Sequence, residues 1–219
     1  MRKAVILLQD GTVFEGTRFG ADRDALCEMV FNTGLTGYHE LLTDASYAGQ
    51  GIVMASPIMG NYGVFEEHAE SWCPWAEALI VRDLTRLEND ARKAGALERY
   101  LQEYGIPGMT GVDTRGLILR LRSSGTMNGL IADAEGFDRE EALTRLAAHT
   151  NIHPVARVSC RETSFYPANA DASNGRRYKV ALVDLGLKRG ILRSLNAAGC
   201  DVTVYPWDTP AADILSANP

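Results

Sequence analysis

The last part of the chain, residues 178–219, most limits what this sequence can fold into. An apolar, β-rich run, KVALVDL, is followed by an amphipathic segment, KRGILRSLNAA, which Gly199 ends, and by a second β-rich run, DVTVYP. A short helix is predicted next, with Asp208 or Thr209 as its cap and Pro210 at its first position. This β-α-β-α order predicts two parallel strands joined by a helix, which is the opening of a parallel α/β sheet.

Two strands and two helices bury too little apolar surface for a stable parallel α/β domain, because parallel sheets are covered on both faces and contain more strands. The sequence stops at SANP, where a third strand is expected. We therefore expect this second domain to be incomplete and the chain to be a fragment of a longer protein.

The amino-terminal part has the pattern of a separate unit that is rich in short strands. Ala4–Gln9 and Thr12–Phe19 predict a β-hairpin with a two-residue turn at Asp10-Gly11. Further strands are predicted near 28–31, 51–57 and 78–81.

Three helices are predicted in the same part. One spans Ala94–Tyr104, where apolar residues recur at helical spacing, and the other two begin at the capping residues Asp113 and Asp138. Asp113, Thr114 and Arg115 could suggest a catalytic group, but we interpret Asp113 as a capping residue and Arg115 as a surface residue.

The character of the sequence changes at RETSFYPANADASNGRR, residues 161–177, which has few large apolar side chains. Such a segment cannot build a core of its own and is typical of a linker. We therefore predict a first domain at 1–155, a linker at 156–177 and the incomplete domain at 178–219.

The formal net charge of −6, with no block of lysine or arginine, disfavours binding to nucleic acid or to an anionic membrane. No apolar run approaches the roughly 20 residues needed to span a bilayer, so we predict a cytoplasmic protein. The four cysteines are scattered, which is typical of buried thiols and not of a disulfide framework or a zinc site. The four histidines are not spaced as ligands, and we predict no metal and no cofactor.

Five segments, taken in order, resemble one known family. They are VFNTGLTGYHELLTDASYAGQ, PIMGNYG, ALIVRDL, GVDTRGLILRLRSSGTMNGLI and VALVDLGLKRGILRSLNAAGCDVTVYP. Together they resemble the small subunit of glutamine-hydrolysing carbamoyl-phosphate synthase across nearly the whole chain. The resemblance implies a swivelling-type β/β/α domain followed by the first βαβα part of a class I glutamine amidotransferase domain of flavodoxin-like fold.

The resemblance also implies an activity and partners. In this family a cysteine attacks the side-chain amide of L-glutamine, and the ammonia passes to a large subunit. That subunit uses ATP and bicarbonate to make carbamoyl phosphate for arginine and pyrimidine biosynthesis. The expected partners are therefore L-glutamine and the large subunit, in a heterodimer.

The resemblance assigns Ser46, in TDASYAGQ, to the substrate: it is expected to contact the amino-acid head of glutamine across the domain interface. The family usually has proline just before this serine, where this chain has Ala45. The alternative role of Ser46 is that of a turn serine bonded to the local backbone. In the same stretch Thr36 is a candidate helix cap, and Gly34 and Gly37 are expected in tight backbone.

None of the four cysteines lies in a G-x-C-x-G turn, and no histidine is followed two residues later by glutamate. The resemblance implies that these catalytic residues lie beyond Pro219, so we predict that this chain alone has no glutaminase activity. Lys188 and Arg189 are predicted to be solvated residues of a first helical turn, and DLGLKRG resembles a phosphate loop only faintly.

Two other functions remain open from the sequence. One is a stand-alone interaction domain without a catalytic role. The other is a different glutamine-dependent ligase that uses the same amidotransferase domain, although such enzymes lack the FNT-x-x-TGY part.

Overall fold

A seven-stranded barrel forms the first part of the molecule. The computed structural model describes residues 2–85, 94–152, 154–170 and 177–219. The strands of the first part are β1 Lys3–Leu8, β2 Val13–Gly20, β3 Ala25–Asn32, β4 Gln50–Met54, β5 Ile58–Met59, β6 Ala78–Ile80, β7 Asp83–Leu84, β8 Pro107–Thr110 and β9 Met127–Asp133. The barrel is closed in the order β1-β2-β8-β6-β4-β3-β9, and β5 and β7 form a separate parallel pair.

Four helices surround the barrel: α1 Tyr38–Thr43, α2 Ala94–Glu103, α3 Thr114–Ser124 and α4 Arg139–Ala148. The predicted caps of α3 and α4 are confirmed. Asp113 accepts a hydrogen bond from the Gly116 N–H at 3.0 Å, and Asp138 accepts from the N–H groups of Glu140 and Glu141. The predicted helix at 94–104 is α2, which ends one residue earlier.

The predicted hairpin is confirmed as the antiparallel pair β1 and β2, but its turn is longer than predicted. The Leu8 N–H donates to the Thr12 carbonyl at 2.9 Å, so the loop is the three residues between them. Gly11 has a φ of +85°, and the Asp10 carboxylate accepts from the Thr12 N–H at 2.8 Å. The two-residue turn is wrong because the aspartate side chain closes a wider loop.

The continuous apolar run in β1 follows from burial on both of its faces. Ile6 and Leu8 pack in the barrel interior, whereas Leu7 between them packs outward against Leu146 of α4. All three are 0% exposed, and each contributes roughly 1.5–3 kcal/mol when fully buried. A strand with only one covered face would alternate apolar and polar residues instead.

The second part of the molecule is a small three-stranded sheet. Its elements are α5 Pro154–Val158, β10 Ser164–Tyr166, β11 Tyr178–Val183, α6 Arg189–Ala197, β12 Cys200–Tyr205 and α7 Ala211–Ser216. The strand order is β10-β12-β11, with β11 and β12 parallel as predicted and β10 antiparallel to β12. Together with the barrel this makes a mixed α/β protein.

Helix α7 starts differently from the prediction. Pro210 lies outside the helix with an extended ψ of 137° and takes the cap position, and no side chain caps the helix. The predicted capping by Asp208 or Thr209 is therefore wrong. Proline fixes φ but leaves ψ free, so it stands as readily just before a helix as at its first position.

The segment predicted as a linker, 156–177, contains regular structure. It holds most of α5 and all of β10, while its residues 171–176 lie outside the described part of the chain. Ser164–Tyr166 becomes a strand because β12 offers it a free edge. Within the described residues, no helix is long and apolar enough to cross a membrane.

Candidate functional site

The stretch FNTGLTGYHELLTDASYAGQG runs from the end of β3 through α1 to β4. After α1 it forms a 3₁₀ turn, Ala45–Tyr47, which faces the second part of the molecule. We call the surface where residues 44–47 meet residues 184–190 the seam. The seam contains the predicted substrate residue, Ser46.

The start of α1 differs from the prediction that Thr36 caps it. Gly37 is the cap residue with a φ of +86°, and no side chain of the preceding segment bonds to the helix. Instead the hydroxyl of Tyr62 accepts hydrogen bonds from the N–H groups of Gly37 and Tyr38. Thr36 is not needed as a cap because an acceptor from another loop already satisfies these donors. The expectation of tight backbone at Gly37 is confirmed.

Tyr62→Phe is expected to lower the free energy of unfolding by about 1–2 kcal/mol, because two helix N–H groups lose their acceptor. The midpoint of urea unfolding measures this loss. Tyr104→Phe is the matched control, since Tyr104 is 49% exposed and lies at the end of α2. Equal midpoints for the two variants would contradict the capping role of Tyr62.

Ser46 is exposed at the seam with its hydroxyl unoccupied. Its backbone N–H, and not its hydroxyl, donates to Asp44 Oδ1 at 2.9 Å, so the Asp44 carboxylate holds the local turn. Among the residues that the structure describes, the Ser46 hydroxyl has no hydrogen-bond partner. The hydroxyl is therefore available to a ligand, with one donor and two acceptor lone pairs.

Asp44 connects this turn to the second part of the molecule. It is only 6% exposed, and its Oδ2 lies 2.6 Å from Lys188 Nζ. The hydrogen bond to this carboxylate raises the pKa of Lys188. Lys188 keeps a half-exposed side chain but is not the free solvated residue that was predicted, because a buried carboxylate needs a partner and this lysine reaches it. Arg189, the first residue of α6, is exposed as predicted.

On the other side of the seam, Asp184 organises the loop after β11. One carboxylate oxygen accepts from the N–H groups of Gly186 and Leu187 at 2.8 and 2.7 Å, and the other accepts from the Cys160 N–H at 2.7 Å. Two amides of the DLGLKRG segment are thus bonded within the protein and not turned to a phosphate. Burial, followed by the nearby Asp184 charge, raises the pKa of the Cys160 thiol.

The two sides approach closely at Gly186, which has a φ of +112°. A Cβ atom at this position would lie 3.0 Å from the Ala45 Cβ and 3.2 Å from Val158 Cγ2. Next to this contact lies a partly open pocket of about 190 Å³. A small buried apolar cluster of Ala45, Ala48 and Val158, together with the close approach at Gly186, therefore joins the two parts here.

The remaining candidates are the histidines and cysteines, which were considered as metal ligands. In the described part of the chain, no group of three or more histidine, cysteine or carboxylate side chains could hold a metal ion; His153 lies outside that part. All four cysteines are free; Cys27 and Cys200 are buried as predicted, whereas Cys73 and Cys160 are half-buried.

Sequence reasoning missed the structural roles of Asp44 and Asp184. Asp44 accepts a hydrogen bond from the N–H two residues later, that of Ser46. Asp184 accepts from the N–H groups two and three residues later, those of Gly186 and Leu187. That spacing is typical of an Asx turn and was a usable signal. Nothing in the local sequence indicates the partner of Asp44.

Comparisons with known proteins agree on one family. The family model described as carbamoyl-phosphate synthase small chain, CPSase domain, matches residues 6–131. The chain is 41% identical to the carbamoyl phosphate synthase small chain of Listeria monocytogenes serovar 1/2a, over 100% of this chain and 58% of that protein. It is 40% identical to that of Streptococcus mutans serotype c, over 100% and 59%. The chain thus spans somewhat more than half the length of these relatives.

Among solved structures, an aminopeptidase from Aneurinibacillus sp. strain AM-1 overlaps 98% of this chain and 50% of that protein. Its identity is 10% and its TM-score 0.31, which is too low for any argument.

Proposed function

Because the chain belongs to the carbamoyl-phosphate synthase small-chain family, we propose that it acts in the glutamine-hydrolysing subunit of such a synthase. In this proposal the subunit releases ammonia from glutamine. A large subunit then uses the ammonia, with ATP and bicarbonate, to make carbamoyl phosphate for arginine and pyrimidine biosynthesis. The family match over residues 6–131 carries the assignment and disfavours a stand-alone interaction domain.

The two parts of the molecule take different roles in this proposal. The barrel part, residues 1–155, is the swivelling-type domain that serves as scaffold and docks on the large subunit. Residues 178–219 form the first part of a class I glutamine amidotransferase domain, joined through residues 156–177. The parallel pair β11 and β12, connected by α6, supports this assignment because it is the unit from which flavodoxin-like sheets are built.

Ser46 orients the substrate in this proposal. Its hydroxyl contacts the amino-acid head of glutamine, while the nucleophilic cysteine, its histidine and its glutamate come from outside these 219 residues. The unoccupied hydroxyl at the seam supports this role, as does the buried Asp44 that holds the turn. The hydroxyl suits a zwitterion because it both donates and accepts.

Ser46→Ala is expected to raise the KM for glutamine by about 10- to 100-fold with kcat nearly unchanged, because a hydrogen bond to a charged group contributes about 1.5–3 kcal/mol. The assay uses a complete amidotransferase, made by joining this chain to the part of the Listeria small chain that the match does not cover. Ser124→Ala, an exposed serine of α3, is the control.

The 219-residue chain alone is the blank of this experiment and is expected to hydrolyse no glutamine. A KM in Ser46→Ala that equals the KM in Ser124→Ala would remove Ser46 from the substrate site. Hydrolysis by the short chain would show that the nucleophile lies within it.

The protein is proposed to work in the cytoplasm as a heterodimer with the large subunit. Its four free cysteines fit a reducing compartment. Co-purification of the tagged chimera with a co-expressed Listeria large subunit tests the heterodimer.

A further inference from the structure

One carboxylate of the barrel part holds the start of helix α6. Glu70 Oε2 accepts from the Gly190 N–H at 3.0 Å, and the Glu70 backbone carbonyl accepts from the Arg189 N–H at 2.7 Å. The helix has no cap of its own, since its cap residue, Lys188, makes no side-chain hydrogen bond to it. A glutamate 120 residues away in the chain thus supplies the missing cap.

The Glu70 carboxylate lies beside groups of opposite charge. The amino-terminal end of a helix carries a partial positive charge, which favours a carboxylate there. One turn further along α6, Arg193 donates to the Glu67 carbonyl at 3.1 Å and lies 3.9 Å from Glu70 Oε1. Helix α6 therefore meets the barrel part through Glu70 and through the backbone carbonyl of Glu67, three residues earlier.

On the barrel side, Glu70 is tied to the base of the Ser46 turn. The Glu70 N–H donates to Thr43 Oγ1 at 2.9 Å, and the hydroxyl of the next residue, Ser71, donates to the Thr43 carbonyl at 2.7 Å. Thr43 is the last residue of α1 and directly precedes Asp44. Hydrogen bonds thus run without a gap from α6 through Glu70 to the segment that carries Ser46.

We propose that Glu70 is a positioning residue, which sets the location of Ser46 relative to the amidotransferase part and thereby to bound glutamine. The proposal rests on the substrate role of Ser46 given above. Glu70 touches no substrate itself; it acts by holding α6 and α1 in one arrangement. The ion pair of Lys188 with Asp44, which also crosses the seam, rests on a long, half-exposed lysine side chain and fixes this arrangement less closely.

The first test is hydrogen exchange on the chimera. Glu70→Ala is expected to speed exchange of the Gly190 amide about tenfold, since a helix cap is lost. Glu70→Gln is expected to have a smaller effect, because its amide oxygen still accepts from Gly190. Glu67→Ala is the control, because only the backbone carbonyl of Glu67 contacts α6. Unchanged exchange at Gly190 in Glu70→Ala would overturn the proposal.

The second test measures glutamine kinetics in the chimera. Glu70→Ala is expected to raise the KM for glutamine about tenfold while kcat stays within about twofold. Glu70→Gln is expected to have a KM close to that of the unchanged chimera. In Ser46→Ala/Glu70→Ala the KM is expected to be no higher than in Ser46→Ala alone, because Glu70 acts through Ser46.

The outcomes separate the two proposals. A raised KM in Ser46→Ala with a normal KM in Glu70→Ala would overturn the positioning role and leave the proposed function intact. Additive effects in the double variant would also overturn it, because Glu70 would then act by another route. A normal KM in Ser46→Ala would overturn the substrate role of Ser46 and the positioning role with it.

Discussion

Asp184→Ala is expected to destabilise the carboxy-terminal sheet by about 3–4 kcal/mol while the barrel stays folded, because three N–H groups lose one buried carboxylate. Asp184 is 7% exposed and accepts from residues both in its own loop and in the segment before β10. Without it the loop after β11 and the Cys160 backbone lose their common anchor. Residues 184–190, which form one side of the seam, would no longer be held in place.

Hydrogen exchange of the β11, β12 and α6 amides, compared with the barrel amides, measures this effect. We expect exchange in the sheet to speed up by about 100-fold or more, while exchange in β1 and β9 stays unchanged. Asp208→Ala is the matched control, since Asp208 is an exposed carboxylate of the same sheet unit. Asp184→Asn should fall between the two, because one of its atoms can no longer accept. Equal exchange in Asp184→Ala and Asp208→Ala would refute the anchoring role.

Gly186→Ala is expected to open the seam, with a loss of about 3 kcal/mol from two sources. A non-glycine residue at a φ of +112° is strained by about 1–3 kcal/mol, and the added methyl overpacks the contact with Ala45 and Val158 by a similar amount. The sheet unit is expected to lose stability first, because its contacts with the barrel are few. Amide hydrogen exchange in α6 and in residues 44–48, measured at increasing urea concentrations, reports this loss of stability.

Two controls separate the strain from the clash. Gly136→Ala introduces a methyl at a φ of +74° with no atom within 4 Å, so it is expected to cost only about 1 kcal/mol. Ala45→Gly removes the nearer of the two atoms that the new methyl meets, so the combined Gly186→Ala/Ala45→Gly variant should recover part of the loss. If Ala45→Gly gives no recovery, the contact across the seam is not the cause.

Asp184→Ala and Gly186→Ala both change the loop after β11. The first removes hydrogen-bond acceptors, and the second adds side-chain volume. In the proposed function, either change moves Ser46 away from the amidotransferase part. A fall in glutamine affinity that follows the loss of sheet protection would link the stability of the seam to substrate binding.

Much of the fold follows from local sequence signals. The hairpin of β1 and β2, the caps Asp113 and Asp138, and the parallel pair β11 and β12 are all encoded by residues near each other in the chain. The errors have local causes too. A side chain closed the β1–β2 loop wider than a two-residue turn, and Pro210 stood before its helix and not within it.

Of the candidate site, the sequence predicted one residue, Ser46, and not the contacts that surround it. Ser46 was assigned through the resemblance of TDASYAGQ to a family, and its substrate role stays a prediction. Its unoccupied hydroxyl became visible only in the structure, because the same sequence equally suits a serine bonded to its own turn. The ion pair of Lys188 was not predicted because its partner, Asp44, belongs to a distant part of the chain.

By itself the sequence determined the family, the β1–β2 hairpin, the helices α2, α3 and α4, and the parallel pair β11 and β12, because periodicity, caps and turns act over a few neighbouring residues. It did not predict β8 and β9, which close the barrel, or β10. Only the tertiary structure decided which groups meet: the Tyr62 hydroxyl on α1, Asp44 on Lys188, and Glu70 on α6. The physical reason is that hydrogen bonds and ion pairs between distant segments depend on how elements pack in three dimensions. A glutamate that caps a helix 120 residues away has no signature in either local sequence.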